Sequence, residues 1–193
     1  MTPTGEPPDD RSTHVRSASC PPESASRIVR APEMRVTIET LDPRDAGRVA
    51  GLMREVIAAT PYYTDEAKRS EIAKYPEGAL REAAAADPDA VLVAKVEGEV
   101  VGFCMSRPDD GLVWLSWFGV DPAWRGRGVA DALLARLEKA VRARGVHKVW
   151  CDSRTDNLPS RRVLARAGFR EICTVERHWY GLDFVLLEKP LSR

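Results

Sequence analysis

Two arginines and two glycines alternate within Val120-Asp121-Pro122-Ala123-Trp124-Arg125-Gly126-Arg127-Gly128-Val129-Ala130. An apolar run ends at Val120, a short loop follows, and a helical pattern opens at Val129. The first amides of a helix have no carbonyl one turn earlier to bond, and they carry partial positive charge. Glycines let an anion approach them closely. Arg125 and Arg127 can add charge-assisted hydrogen bonds. The chemistry such a turn can do is to seat a pyrophosphate. The same residues also suit a plain glycine turn with two solvated arginines, and Gly-x-Gly alone does not separate the two.

A second candidate group is the carboxylate of Asp152, which ends an apolar run. With Gly126 and Gly128 it could form a dinucleotide site, the acid binding a ribose. Two features count against that. Position 131 is Asp rather than Gly or Ala, which puts a carboxylate beside the phosphates. The glycines also follow the strand by five or more residues, whereas a dinucleotide turn is tighter.

The elements that must position these residues follow from periodicity. Met34 to Leu41 alternates like a strand. Asp42-Pro43 resembles a helix start, and Ala46, Val49, Ala50, Met53, Val56 and Ile57 follow at helical spacing. Asp65 to Ala86 reads as two short helices parted at Tyr75-Pro76. Ala90 to Val96 and Glu99 to Cys104 flank Glu97-Gly98 as a tight hairpin. Asp109-Asp110-Gly111 marks another turn, and Leu112 to Val120 is a third strand. Trp114 and Trp117 lie three apart on it, hence on opposite faces. The helix from Val129 ends at Gly145. Strand–helix–strand makes Val146 to Asp152 a parallel neighbour of the preceding strand. Asn157 to Ala167 is a short helix, and Phe169 to Glu176 and Tyr180 to Glu188 close the chain as strands. The fold class is therefore α/β (α+β): a mixed, mostly antiparallel sheet of six or seven strands, with helices on both faces.

The chain has 193 residues, enough for one domain and a tail. Residues 1–33 hold six of the 14 prolines and no Leu, Phe, Tyr or Trp. Such a segment cannot bury enough apolar area to offset its ordering entropy, so a disordered tail is expected there, with the folded domain over 34–193. Its start has no apolar run of signal-peptide type. Lys plus Arg and Asp plus Glu are both 29, which argues against a protein that coats nucleic acid. No run is long enough for a membrane span. Cys20, Cys104, Cys151 and Cys173 form no C-x-x-C pair; three of them lie in apolar runs that read as strands, which suits buried free thiols in a reducing, cytoplasmic compartment. No metal site is expected.

The turn and the segment Asn157-Leu158-Pro159-Ser160-Arg161-Arg162-Val163-Leu164-Ala165-Arg166-Ala167-Gly168-Phe169 together resemble the GCN5-related N-acetyltransferase (GNAT) family. The motif pattern is closest to the ribosomal-protein N-acetyltransferases. The family's central motif, Arg or Gln, two residues, Gly, one residue, Gly or Ala, is met by Arg125, Gly128 and Ala130. The resemblance covers about residues 34–190. It implies a GNAT-like acyl-CoA N-acyltransferase fold with acetyl-CoA as acyl donor. Phe118, Gly119 and Val120 would then meet the pantetheine arm with their backbone. Gly126, Arg127, Gly128, Val129, Ala130 and Asp131 would hold the pyrophosphate, and Asn157 would contact the cofactor near a gap between the parallel strands. Arg161, Arg162 and Arg166 form a basic helix face within reach of the coenzyme's 3′-phosphate, or simply a solvated one.

Acetyl transfer to an amine needs a neutral nucleophile, donors for the developing oxyanion, and substrates held close. By the resemblance Asp152 is the general base; it equally suits pairing with Arg154. The family's usual Tyr, proton donor to the leaving thiolate, is replaced by Leu164. Tyr180 is the substitute candidate, with Tyr62 and Tyr63 as others, and an unassisted thiolate is a further route. Substrate choice would fall to Thr60-Pro61-Tyr62-Tyr63, Asp65, Glu66 and His178-Trp179-Tyr180. The acceptor is an amine of a small molecule or of a protein, with no nucleic acid or membrane partner; a homodimer is left open. A non-catalytic acetyl-CoA binding or sensing module is the alternative.

Overall fold

The computed structural model describes residues 35–191. The expected tail, and Cys20 with it, lie outside the described residues. Strand β1 (Val36–Thr40) leads into a 3-10 turn whose first amides are capped by Asp42; Arg44 N donates to its Oδ1 at 2.9 Å. Helices α1 (Ala46–Ala58), α2 (Asp65–Ala73) and α3 (Glu77–Ala86) follow. The α2–α3 break falls at Tyr75-Pro76 as expected. Then come β2 (Val91–Val96), β3 (Glu99–Asp109), β4 (Leu112–Val120), α4 (Val129–Ala143), β5 (Lys148–Arg154), α5 (Leu158–Arg166), β6 (Arg170–Val175) and β7 (Phe184–Pro190).

The seven strands among the described residues form one sheet in the order β1-β2-β3-β4-β5-β7-β6. Every neighbouring pair is antiparallel except β4 and β5, which are parallel. One face buries Val49, Leu52 and Met53 of α1 and Leu80 of α3 against Val91, Val93 and Phe103. The other buries Leu133 and Leu137 of α4 and Leu164 of α5 against Leu92, Val113 and Leu187. The expected mixed sheet with helices on both faces is what forms. Cys104 and Cys151 are buried, and burial pushes the Cys104 thiol up to about 12. Cys173, on edge strand β6, is exposed instead. Among the described residues no helix is long and apolar enough to cross a membrane.

Strand β4 carries a bulge. Met105 pairs with Trp117 but Ser106 with Leu115, so Ser116 is an extra residue. The bulge corrects the expectation for the tryptophans. Val113 and Leu115 face the α4 side before it, and Phe118 and Val120 face that side after it. Trp114 and Trp117 therefore share the opposite face.

Beyond the bulge β4 runs close over β3. A Cβ at Gly119 would lie 2.7 Å from ring atoms of the fully buried Phe103 and 3.3 Å from Val56. Gly119→Ala is expected to cost about 1–3 kcal/mol by overpacking, measured by urea unfolding. Gly51→Ala, in the interior of α1 with nothing within 4 Å, is expected to stabilise by about 0.4–1 kcal/mol.

Candidate active site

The β4–β5 ladder is short. It holds Val113 to Val149 and Trp114 to Trp150, and beyond Trp114 the strands part. On its other edge β4 stays paired with β3 as far as Val120. Asp121 N donates to Val101 O at 2.9 Å, and alternation along the ladder then turns the peptide groups of Phe118 and Val120 away from β3, into the gap. Arg125 Nε reaches back to Val120 O at 3.1 Å. A cleft of about 920 Å³ opens where the strands diverge.

The Arg125–Gly128 turn closes one end of this cleft. Asp121 caps a 3-10 turn over Pro122–Trp124 and is tied to α1 through Arg48 at 3.2 Å. Gly126 and Gly128 take φ of +73° and +78°, in the left-handed region that favours glycine. Gly128 is the N-cap of α4. A Cβ at either glycine would meet nothing within 4 Å, so the space over these amides is open. The Val129, Ala130 and Asp131 amides are the unpaired first-turn donors of a 15-residue helix. The Asp131 carboxylate does not oppose an anion there. It is drawn aside to Arg166 of α5, at 3.1 and 3.2 Å. Arg161 is likewise held, by Glu171 and Thr155 O. Asn157 caps α5 through Ser160 N at 3.2 Å, and its Oδ1 also accepts from the Tyr62 hydroxyl at 2.8 Å.

The α1/α2 side of the gap holds two carboxylates. Asp152 sits on β5 with its Oδ2 accepting from Trp179 Nε1 at 2.8 Å. Burial raises its pKa above the ordinary 3.8, partly offset by that hydrogen bond and by His178. Glu71 of α2 is 8% exposed. Its Oε1 accepts from Tyr180 Oη and from Lys74 Nζ, both at 2.6 Å, and its Oε2 from Trp117 Nε1 at 3.1 Å. Burial works against the Lys74 charge, but its hydrogen bonds to Glu71 and Tyr180 outweigh this and raise its pKa. Tyr63 packs edge-on to Trp117 with centroids 6.1 Å apart. Its hydroxyl is raised by burial and by the nearby charges of Asp152 and Glu71. Burial pushes Tyr75 up to about 12. Leu164 is 1% exposed and packs in the α4/α5 core, so no hydroxyl stands at its place.

Residues 53–169 match the model of the acetyltransferase (GNAT) family. The chain belongs to that family. An acetyltransferase of Pectobacterium atrosepticum is 48% identical over 71 residues, 37% of this chain and 50% of the relative. One of Photorhabdus laumondii is 52% identical over 63 residues, 33% and 44% of the two chains. The GNAT chain here thus spans about half the length of the curated relatives it matches. Among solved structures, the PaiA N-acetyltransferase of Thermoplasma acidophilum in complex with coenzyme A superposes with a TM-score of 0.72 at 21% identity, covering 82% of this chain and all of that one. A ribosomal-protein-alanine N-acetyltransferase of Brucella melitensis gives 0.66 at 24% identity, covering 80% and 99%. At these identities the superpositions bear on the fold.

In this GNAT fold every cofactor-binding residue expected from the sequence lines the one cleft except Arg127. Arg127 lies over the Trp124 ring, 5.0 Å from its centroid. Asp152 and Tyr180 line the same cleft. Tyr180 does not open strand β7 as expected. It sits in a turn over Trp179–Gly181 with φ of +57°, closed by His178 N to Leu182 O at 2.8 Å and by Arg177 N to Asp183 Oδ1 at 2.8 Å. Sequence reading missed Glu71 and Lys74. The signal was a glutamate one turn from Ala67, on the buried stripe of α2, where Ala67 and Glu71 are the buried residues.

Proposed function

We propose that this protein is a cytoplasmic N-acetyltransferase that moves an acetyl group from acetyl-CoA to a primary amine, of a small molecule or a protein, by direct attack in a ternary complex. The observation that carries the reading is the parting of β4 and β5 after Trp114, at a gap that ends on the open first turn of α4. The residues suit the coenzyme: unpaired peptide groups along the gap, and exposed amides with a guanidinium at its end.

When bound, acetyl-CoA supplies the acetyl group on a thioester whose thiolate can leave. The amides of Gly126 and of Gly128 to Asp131, with the free end of the Arg125 guanidinium, hold the pyrophosphate. Phe118 and Val120 present backbone to the pantetheine arm, Gly119 between them turning its own peptide groups to β3, and Asn157 braces the arm from α5. An amine arrives as ammonium and has no lone pair until it gives up a proton. Asp152 takes that proton, directly or through a water. Trp179 occupies its Oδ2, and no described donor lies within hydrogen-bond distance of its Oδ1. Trp114, Trp117 and Tyr63 offer aromatic faces to the cation before it is deprotonated.

The test is thiol release from acetyl-CoA over a panel of polyamines, amino acids, aminoglycosides and N-terminal peptides. At least one class is expected to raise free thiol well above background. If coenzyme A binds and no amine does so, the chain is a non-catalytic acetyl-CoA binding module, a reading favoured by the hydroxyl-free Leu164 position.

A further inference from the structure

The corner between β6 and β7 is built in an unusual way. Tyr180 has φ of +57° and ψ of 25°, a conformation uncommon for an aromatic residue, which persists only where the surroundings fix it. Beyond the turn's own bonds, what holds it lies on α2 and its C-cap. Tyr180 Oη donates to Glu71 Oε1 at 2.6 Å, accepts from Lys74 Nζ at 3.1 Å, and has Ser70 Oγ at 3.0 Å. Glu71 is itself held to β4 through Trp117. The next residue back, Trp179, is 52% exposed. Its ring is not fixed by burial; it touches His178, with centroids 4.4 Å apart, and donates its indole N–H to Asp152. Where Trp179 points is therefore set by the backbone of the corner, which Glu71 braces from α2 in addition to the turn's own bonds to Leu182 and Asp183.

We infer that Glu71 is a positioning residue: by anchoring Tyr180 it holds the corner so that Trp179 keeps its indole N–H on Asp152. The role of Asp152 as base rests on the proposed function; the chain of contacts from α2 to Asp152 does not. Tyr180 in this arrangement is an anchor, its hydroxyl committed to Glu71. The charged and titratable groups near Asp152 are Glu71 from α2, Lys74 at its C-cap, His178 from the corner and Tyr63 from the α1–α2 loop; Cys151, next to it on β5, packs on the other face of the sheet. Arg154, further along β5, is turned to Asp156 and the Asp183 carbonyl.

The experiment is a pH titration of the Trp179 indole resonance by ¹⁵N–¹H NMR on the free protein, with Trp179→Phe assigning the signal. In the wild type the resonance should follow Asp152, moving as the carboxyl gains its proton. Tyr180→Phe removes the anchor and should abolish that pH dependence, carrying the signal towards a solvent-exposed indole position. Glu71→Leu cuts the same bond from the other end and should do the same, which keeps the test alive if one variant folds poorly. A well-dispersed spectrum of either variant with an unchanged indole titration overturns the inference. In the acetyl-transfer assay both variants should displace the acid limb of kcat/KM with unchanged acetyl-CoA affinity. The spectrum needs no cosubstrate, so it reads the positioning role even if no amine is ever acetylated.

Discussion

Glutamate at position 128 is expected to weaken acetyl-CoA binding by a hundredfold or more while leaving the fold in place. Gly128 is the N-cap of α4 with φ of +78°. Its Cβ position is open, so the new side chain enters the anion seat without meeting the core. A carboxylate about 4 Å from a phosphate charge repels it by about 4 kcal/mol at an effective dielectric near 20. It also satisfies the helix-terminal amides itself. The left-handed backbone adds a strain of about 1–2 kcal/mol for any non-glycine residue. Gly128→Ala carries that strain without the charge and separates the two effects. Titration calorimetry reads the affinity and thermal unfolding the strain. Unchanged affinity in the glutamate variant would remove the turn from the site.

Asp152→Asn should lower kcat by about 10²- to 10⁴-fold, the range of a lost general base, with acetyl-CoA affinity unchanged. The pH dependence has a definite sign. The base works as carboxylate, so the wild-type rate should rise with pH through the elevated pKa of Asp152 and then level. In the variant that limb should vanish. Stability should move the opposite way. Between the unfolded value near 3.8 and the raised folded value, the native state binds more protons than the unfolded one, so stability falls as pH rises. The penalty is fully present above the folded pKa, and Asn carries none of it. The variant should therefore gain stability over the wild type at neutral pH relative to acid pH. An unaltered pH–rate profile would take Asp152 out of the chemistry.

Much of this is legible in the sequence. The α1 stripe, the Pro76 break, the Glu97-Gly98 hairpin and the glycine after α4 are local signals, and each element formed where its residues placed it. The Arg125–Ala130 turn was legible for the same reason. What one strand does to its neighbours was not. The extra residue at Ser116 leaves no mark in hydrophobic alternation, yet it reverses which face Trp117 takes. The separation of β4 and β5 depends on two strands joined through α4. Tyr180 reads as a strand residue by type, and only its bond to a glutamate 109 positions away makes the left-handed turn intelligible. Asp131 looked like an obstacle to phosphate until Arg166, 35 positions away, drew its carboxylate aside.

Isothermal titration of the wild-type protein with acetyl-CoA, with a nicotinamide dinucleotide run in parallel, tests the central claim most directly. The geometry of the gap and of the α4 terminus predicts a saturable exotherm at one coenzyme per chain, and none with the dinucleotide. Flat traces with acetyl-CoA, or saturation by the dinucleotide alone, would contradict it.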